Sequence, residues 1–262
     1  MSNKLVCRKP DVVESYSRAT NLQAPERTIL NLLKDSLSEM VMLDIGVGGG
    51  RTTLHFAKLV SKYVAIDYSE EMIASCNKRF SQKSSNISFK VCDVRSMEIF
   101  EDNTFDFILF SFNGVDCMSH SDRLKAFKEI QRVGNPGAYF CFSTNNLLYS
   151  LRLFGFKPWL SLRPKSLARN IFTWWKLRFV YNKGSEIKKH KHSQYAIYND
   201  GAHNFQMQMY HIKPIEQIKQ LNKDYYFKDV RVYSLNSGRE IKSEMELKSI
   251  EDPWLYYFCV IN

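Results

Sequence analysis

Short apolar runs alternate with amphipathic stretches over the first half of the chain. Runs such as Val41–Ile45 and Phe105–Phe110 are apolar almost throughout, as buried parallel strands are. Stretches such as residues 123–133 instead place apolar side chains at helical spacing. The pattern predicts five strands, at residues 41–45, 63–67, 87–92, 105–110 and 137–143. Strand and helix alternate, which predicts a doubly wound α/β fold with a mainly parallel sheet.

The remaining segments differ from this alternating core. Residues 11–40 have a helical apolar stripe, and residues 146–193 are basic and aromatic, with a helix predicted around residues 165–181. Strand-like runs return at residues 205–211, 230–233 and 254–261, with a helix at 214–221, so we expect a sheet of seven strands. The predicted division is a helical N-terminal cap (1–40), an α/β core that binds a cofactor (41–145), a substrate cap or insertion (146–204) and a C-terminal completion of the sheet (205–262).

Composition is that of an ordinary globular protein, with 44% hydrophobic and 24% charged residues. No run approaches the ~20 apolar residues of a membrane span, and the first ten residues lack the apolar core of a secretion signal. We therefore expect a cytoplasmic protein, a monomer or homodimer. Six scattered cysteines without a C-x-x-C pair predict reduced thiols, not a disulfide framework or a zinc site.

The net charge of +10 comes from one region. Residues 151–193 contain one acid, Glu186, and eleven basic side chains, namely Arg152, Lys157, Arg163, Lys165, Arg169, Lys176, Arg178, Lys183, Lys188, Lys189 and Lys191. Aromatic residues are interleaved with these cations. The favoured hypothesis is a lid over a small acceptor, or a dimer contact; the alternatives are an interfacial helix on an anionic membrane and, less favoured, a nucleic-acid surface.

A glycine-rich turn follows the first predicted strand, in the sequence Leu-Asp-Ile-Gly-Val-Gly-Gly-Gly-Arg-Thr at residues 43–52. Glycines permit a sharp turn and close approach of a ligand to the backbone, next to the free N–H groups of a helix start. A dinucleotide fingerprint would need a third glycine at position 51, where this chain has arginine. The turn therefore does not match the nicotinamide-dinucleotide fingerprint.

Acidic residues follow the next two strands, at Asp67 and Asp93. An acid at the end of the second strand can accept hydrogen bonds from both hydroxyls of a ribose. Carboxyl ends of parallel strands border the crevice in which such sheets bind ligands. From about residue 40 to about residue 145 the chain resembles the class I S-adenosylmethionine-dependent methyltransferases, and more loosely a bacterial subgroup that acts on small molecules. It departs from the family at Gly134–Ala138, where Gly-Asn-Pro-Gly-Ala replaces the usual Leu-Lys-Pro-Gly-Gly.

The resemblance implies S-adenosyl-L-methionine as cofactor. Metal-dependent relatives need clustered carboxylates near the substrate, and since the sequence shows no such cluster we expect no metal. It places Asp93 at the adenine amino group, Arg51 at the cofactor carboxylate and Tyr16 over the methionine end. The full set of expected cofactor contacts is Tyr16, Asp44, Gly46, Gly48, Arg51, Asp67, Tyr68, Met72, Asp93, Val94, Ser111 and Phe112.

Methyl transfer chiefly requires a positioned nucleophile, with a base where the acceptor is a hydroxyl. The candidates for catalysis are His203, Asn113, His120 and Asp116, and those for acceptor binding are Asn113, Tyr195, Tyr198, Asp200, His203 and Tyr210. His203 is the favoured base, oriented by Asp200 or a tyrosine. The predicted function is methylation of an oxygen or nitrogen of a small metabolite or sugar. The alternatives are a tRNA or rRNA methyltransferase and an enzyme acting at a membrane on a lipid-linked acceptor; a scaffold without activity would not need the intact acidic and glycine positions.

Overall fold

A computed structural model describes residues 3–6, 8–82, 84–182, 187 and 189–262, and the side chains of all of these except Asn3 and Lys4. Four residues used in the sequence arguments, Cys7, Lys183, Glu186 and Lys188, lie outside this part of the chain. The described part forms one mixed sheet whose strands are β1 (Val41–Ile45), β2 (Lys62–Asp67), β3 (Ile87–Val91), β4 (Phe105–Phe110), β5 (Gly134–Asn146), β6 (Tyr195–Tyr198), β7 (Met209–Ile212), β8 (Lys228–Ser234), β9 (Glu240–Ile241) and β10 (Trp254–Val260).

The strand order is β3-β2-β1-β4-β5-β10-β8-β9. Strands β1 to β5 are parallel to one another, and β10 is antiparallel to both β5 and β8. The prediction of seven strands is wrong as a count, because ten strands are present in the described residues. Seven of them form the predicted doubly wound sheet, and the additions are the two-residue β9 and the hairpin of β6 and β7, which joins the sheet by pairing β7 with the end of β5.

Helices cover both faces of the sheet. They are α1 (Asn3–Val6), α2 (Pro10–Arg18), α3 (Ala24–Leu33), α4 (Thr53–Phe56), α5 (Glu70–Arg79), α6 (His120–Val133), α7 (Leu147–Leu153), α8 (Pro164–Trp175), α9 (Pro214–Asp224) and α10 (Glu244–Ser249). Successive strand residues point to opposite faces, so Leu43 packs with Phe127 of α6 in one core and Met42 packs with Ile29 of α3 in the other. The glycine turn after β1 therefore lies at the edge of the sheet, between the two hydrophobic cores.

The described residues between 147 and 198 build a small body at the side of the sheet, which they join through β6. A π-helical turn, Lys176–Val180, continues α8 at the place where the sequence predicts a helix. Leu147, Phe154, Leu177 and Ala196 form the centre of a separate small core. We call this body the cap.

Candidate active site

A cavity of about 560 Å³ opens at the carboxyl ends of β1, β2 and β4. Its volume is within the range of small-molecule sites. Ten residues expected to contact a cofactor line its wall, namely Tyr16, Gly46, Gly48, Asp67, Tyr68, Met72, Asp93, Val94, Ser111 and Phe112. The structure therefore brings together side chains from four separate parts of the sequence.

The glycine turn leaves backbone exposed where side chains would block the cavity. Gly48 has φ +54°, and a Cβ there would lie 3.1 Å from the ring of Tyr16. Gly49 lies directly under α2, since a Cβ there would be 2.4 Å from the backbone nitrogen of Ser17. The turn is thus shaped both by the cavity and by the helix that carries Tyr16.

Asp67 ends β2 with its carboxylate partly used. Its Oδ2 accepts a hydrogen bond from the Gly48 N–H (3.0 Å), and its Oδ1 accepts one from the Ser69 N–H (2.9 Å). Burial raises the pKa of Asp67, and these backbone hydrogen bonds oppose that rise. Each oxygen retains a lone pair for a further donor, so the carboxylate can accept two neighbouring hydroxyls.

Asp93 is held by an arginine that sequence reasoning missed. Arg95 Nε donates to Asp93 Oδ1 at 2.8 Å, and Arg95 Nη1 donates to Asp122 Oδ2 at 3.0 Å. All three residues line the cavity. The hydrogen bonding of Arg95 to the Asp93 carboxylate is the main reason that the pKa of Arg95 is raised. This network fixes Asp93 at the wall, where its Oδ1 also accepts a hydrogen bond from the Arg95 backbone N–H at 3.1 Å.

Asp44 and Arg51 are in the turn but do not line the described cavity. Asp44 is buried and accepts hydrogen bonds from Thr52 and Tyr63, and burial raises its pKa to about 6. Arg51 Nη2 donates to Glu26 Oε1 (2.6 Å) and to Ser111 Oγ (3.1 Å). In this geometry Asp44 fastens the turn to the sheet, and Arg51 fastens it to α3.

Asn113 has a left-handed backbone with φ +58°, immediately after β4. Its N–H donates to Ser143 Oγ (2.8 Å), and its Nδ2 donates to Asn145 Oδ1 (2.9 Å). Its Oδ1 is buried with no hydrogen-bond partner in the described structure. Asn113 holds the loop, while its neighbours Phe112 and Gly114 form the cavity wall.

Asp116 is fully buried in an ion pair with Arg123, at 2.7 Å between Oδ1 and Nη1. Thr144 Oγ1 and the Asn145 N–H also donate to this carboxylate. Burial raises the pKa of Asp116 to about 7 against the opposing effect of Arg123. Its acceptor capacity is used inside the protein, and it does not line the described cavity.

His120 belongs to an aromatic stack near the cavity mouth. Its Nδ1 is 3.0 Å from the Tyr210 hydroxyl, and its ring stacks on Tyr195 with centroids 4.1 Å apart. Burial lowers the pKa of His120. Ser119, the residue before it, lines the cavity wall.

His203 lies behind Tyr16. Its Nε2 is 3.4 Å from the Tyr16 hydroxyl, and the two rings are parallel, with centroids 6.1 Å apart. It lines a second cavity of about 180 Å³, and Tyr16 lines both cavities. Burial lowers the pKa of His203, while the charge of Asp200 opposes that change. His203 therefore meets the main cavity through Tyr16.

Tyr198 lies inside the cap, on the face of the β6–β7 hairpin that points away from the main cavity. Its ring stacks on His211 at 4.2 Å, and His211 Nδ1 is 2.9 Å from Ser150 Oγ. The Asp200 carboxylate is 3.6 Å from His211 Nε2. The sequence grouped Tyr198 and Asp200 with the acceptor site, whereas the structure places them at the junction of cap and sheet.

Several wall residues carried no recognisable sequence signal. Cys117, Met118, Ile197 and Gln208 line the same cavity as Asp67. Arg95 could have been found, because it follows Asp93 by two residues at a strand end. Ile197 could be found only through the pairing of β6 with β7, which is not local in sequence.

In the described part of the chain, no cluster of three or more His, Cys, Asp or Glu side chains could hold a metal ion. No described helix combines the length and apolarity needed to cross a bilayer.

Comparison with known proteins identifies the cofactor-binding core. The sequence profile of a family described as a methyltransferase domain matches residues 42–137, which contain the glycine turn, Asp67 and Asp93. This stretch of the chain is thus a methyltransferase domain, in agreement with the resemblance to the class I S-adenosylmethionine-dependent methyltransferases. The resemblance predicted from the sequence is confirmed, and so is S-adenosylmethionine as the cofactor of this family.

Individual relatives of the chain are distant. An uncharacterized methyltransferase of Schizosaccharomyces pombe is 29% identical over 52% of this chain and 51% of its own length. Norajmaline N-methyltransferase of Rauvolfia serpentina is 33% identical over 37% of this chain and 33% of its own length. The chain thus spans about half or less of these curated relatives.

Solved structures support the fold over a larger part of the chain. An S-adenosylmethionine-dependent methyltransferase from Mesorhizobium loti aligns with 90% of this chain and 97% of its own, with a TM-score of 0.59 and 15% identity. A 1,6-didemethyltoxoflavin-N1-methyltransferase from Burkholderia thailandensis aligns with 99% and 88%, with a TM-score of 0.57 and 16% identity. At this identity the likeness shows the Rossmann-like methyltransferase fold.

Proposed function

We propose that this methyltransferase transfers a methyl group from S-adenosylmethionine to an oxygen or nitrogen of a small metabolite or sugar. The observation that carries the proposal is that the glycine turn and Asp67 line the same cavity of about 560 Å³ as a group of uncharged side chains. That group includes Phe112, Cys117, Met118 and Ile197. A cavity of this size suits a cofactor together with a compact acceptor.

The cofactor fits the residues present. Asp67 has spare lone pairs for the ribose hydroxyls, and Gly46 and Gly48 leave space that a Cβ would fill. Asp93 and Val94 would border the adenine, and Tyr68 and Met72 would complete that side. When bound, the cofactor supplies a methyl group activated by its sulfonium.

The protein's own residues then position the acceptor and receive its proton. In the proposal, Tyr16, Cys117 and Gln208 surround the acceptor, and Phe112 and Ile197 exclude water from it. Neutral His203 holds the Tyr16 hydroxyl, so that it receives a proton passed on by Tyr16. His120 with Tyr210 is the second candidate for this role, at the outer end of the wall.

The curated relatives support a small acceptor. Three of them are named for nitrogen methylation, norajmaline N-methyltransferase and two phosphoethanolamine N-methyltransferases of Triticum aestivum. A nitrogen acceptor that is already neutral would need positioning more than a strong base. This agrees with the position of the His203 imidazole, which is separated from the main cavity by the Tyr16 side chain.

The test is transfer of a labelled methyl group from S-adenosylmethionine to fractions of a cell extract sorted into small molecules, lipids and RNA. Label in the small-molecule fraction, absent with the Tyr16→Phe, His203→Ala double variant, is expected. Label confined to RNA or to lipid would overturn the choice of acceptor class. Calorimetry on the same preparation serves as a separate check, since binding of NADH without any binding of S-adenosylmethionine would overturn the activity itself.

A further inference from the structure

The cap exposes apolar side chains on the outer side of α8. Ile171, Phe172, Trp175 and Phe179 follow one another at helical spacing, and the last three have exposed fractions of 55%, 48% and 59%. We call these four residues the outer stripe. The opposite side of the helix is the one that packs inward, since Leu177 is buried in the cap core and Trp174 Nε1 donates to the Phe154 carbonyl. The outer stripe is therefore not needed for the core of the cap.

Cations surround the outer stripe. Lys176 Nζ lies 4.5 Å from the centre of the Phe172 ring, and Arg178 lies over Phe179 at 5.7 Å. Lys165 and Arg169 are exposed one turn earlier on the same helix. The sequence has no acidic residue from 151 to 182. Among the described cations of this segment, Arg152 alone forms an ion pair, with Glu251.

The outer stripe is separate from the candidate active site. None of the described residues lining the main cavity comes from residues 151–182. The cap reaches that cavity through the β6–β7 hairpin, on which Ala196 faces the cap core and Ile197 faces the cavity. A lid closing over a small acceptor would not require this outward-facing set of aromatic and basic side chains.

We propose that the outer stripe and its cations dock the protein on the surface of an anionic lipid bilayer. Tryptophan and phenylalanine on one face of a helix, with lysine and arginine beside them, are the composition of helices that lie in the membrane interface. The uncompensated cations match the negative charge of such a surface. This inference goes beyond the proposed function and does not depend on it.

Two other occupants fit less well. A second copy of the chain would bring the same cations face to face without acids to neutralise them. Single-stranded RNA would use cations and stacking rings, but it gives no role to exposed aliphatic side chains, and Leu160, Leu162, Ile171 and Val180 are all exposed. Insertion into a bilayer uses both kinds of apolar side chain.

The experiment is co-sedimentation of the full chain with vesicles of phosphatidylcholine alone and of phosphatidylcholine mixed with phosphatidylglycerol. Binding is expected only to the mixed vesicles, and it should weaken strongly in 1 M salt, where charges are screened within about 3 Å. The Lys165→Gln, Arg169→Gln variant should bind about 30-fold more weakly, at roughly five-fold for each cation. Its matched control is Lys58→Gln, Lys78→Gln, at two exposed lysines elsewhere.

The apolar contribution is tested separately. Phe172→Ser with Trp175→Ser should lower vesicle binding by about ten-fold or more, while Ile99→Ser with Met245→Ser, at exposed apolar residues outside the cap, should leave it unchanged. Melting temperatures of all variants check the fold, and brominated lipid should quench less fluorescence in Trp175→Phe than in the unchanged chain. The proposal would be overturned if the chain bound both vesicle types equally, or if the test and control variants lost the same amount of vesicle binding. It would also be overturned if these residues were needed for binding to tRNA but not for binding to vesicles. A change from dimer to monomer without any vesicle binding would likewise overturn it.

Discussion

The Asp67 carboxylate connects the ends of two neighbouring strands. It accepts hydrogen bonds from Gly48 in the turn after β1 and from Ser69 after β2. Because both oxygens are oriented in this way before any ligand binds, little side-chain freedom remains to be lost on binding. The position of this acid after the second strand was enough to predict from the sequence that it lies at the cavity, and its role in cofactor binding stays a prediction.

Asp67→Asn should weaken S-adenosylmethionine binding by roughly 1.5–3 kcal/mol, as expected for lost charge-assisted hydrogen bonds. The amide keeps the size of the side chain, so the fold should persist. Calorimetry measures the affinity, and Asp35→Asn, at an exposed acid away from the cavity, is the control. Equal affinities for the two variants would remove Asp67 from the cofactor site.

Tyr16 and His203 should act as one unit, since the Tyr16 hydroxyl and His203 Nε2 are 3.4 Å apart. Of the two residues, Tyr16 is the one that lines the main cavity. His203→Ala should lower kcat by about 10²-fold or more if the acceptor must lose a proton. Tyr16→Phe should cause a similar loss, and the double variant little more. S-adenosylmethionine affinity measured by calorimetry should change little in His203→Ala. Additive losses in the double variant would show that the two residues act independently.

Other residue-level expectations could not be settled from sequence because tertiary partners determine them. Arg51 stands in the glycine turn, where it resembles a ligand for the cofactor carboxylate. Its guanidinium instead reaches Glu26, twenty-five positions earlier in the sequence and buried beside Tyr256. Periodicity cannot show such a pairing, since it depends on how α3 packs against the sheet.

At the scale of elements, the local sequence pattern was sufficient to predict those strands and helices in which buried positions recur at regular spacing. The strands predicted at 41–45 and 105–110 have the observed bounds, and the predicted helix at 165–181 matches α8 and its π-helical extension. Strand β5 is longer than predicted because β10 pairs with it from Tyr139 to Asn145. The β6–β7 hairpin was missed, since its register depends on contact with the end of β5.

Helix α2 depends on a glycine in another element. A Cβ at Gly49 would lie 2.4 Å from Ser17 N and 2.5 Å from the Tyr16 carbonyl carbon, so backbone would have to move. Gly49→Ala should therefore displace α2, increase hydrogen exchange in residues 10–18 and weaken cofactor binding. Gly155→Ala, where the added carbon meets one carbonyl oxygen at 3.2 Å, is the control. Unchanged exchange in α2 would show that the helix is not seated on the turn.

At the scale of the whole molecule, the cap and the sheet meet at one buried histidine. His211 lies on β7, which pairs with β5 at Asn145, and its ring contacts Tyr198 of β6 and Ser150 of α7. Burial lowers the pKa of His211 to about 3. The neutral imidazole is thus part of the packing that joins two bodies, and its protonation would place a buried charge between them, 3.6 Å from the Asp200 carboxylate.

This gives a pH dependence of stability with a definite sign. An unfolded histidine has a pKa near 6.5, above the value of about 3 in the fold. The contribution of His211 is therefore complete above about pH 6.5 and is lost as the pH falls toward 3, because the unfolded chain takes up the proton first. The loss should approach 1.4 kcal/mol per pH unit in that window.

His211→Gln removes the proton uptake, so the difference in unfolding free energy between the unchanged chain and this variant should shrink from pH 8 to pH 4.5. Urea denaturation measures it, with His192→Gln, at an exposed histidine, as the control. A difference that stays constant or grows with acid would mean that His211 is not held neutral at the junction.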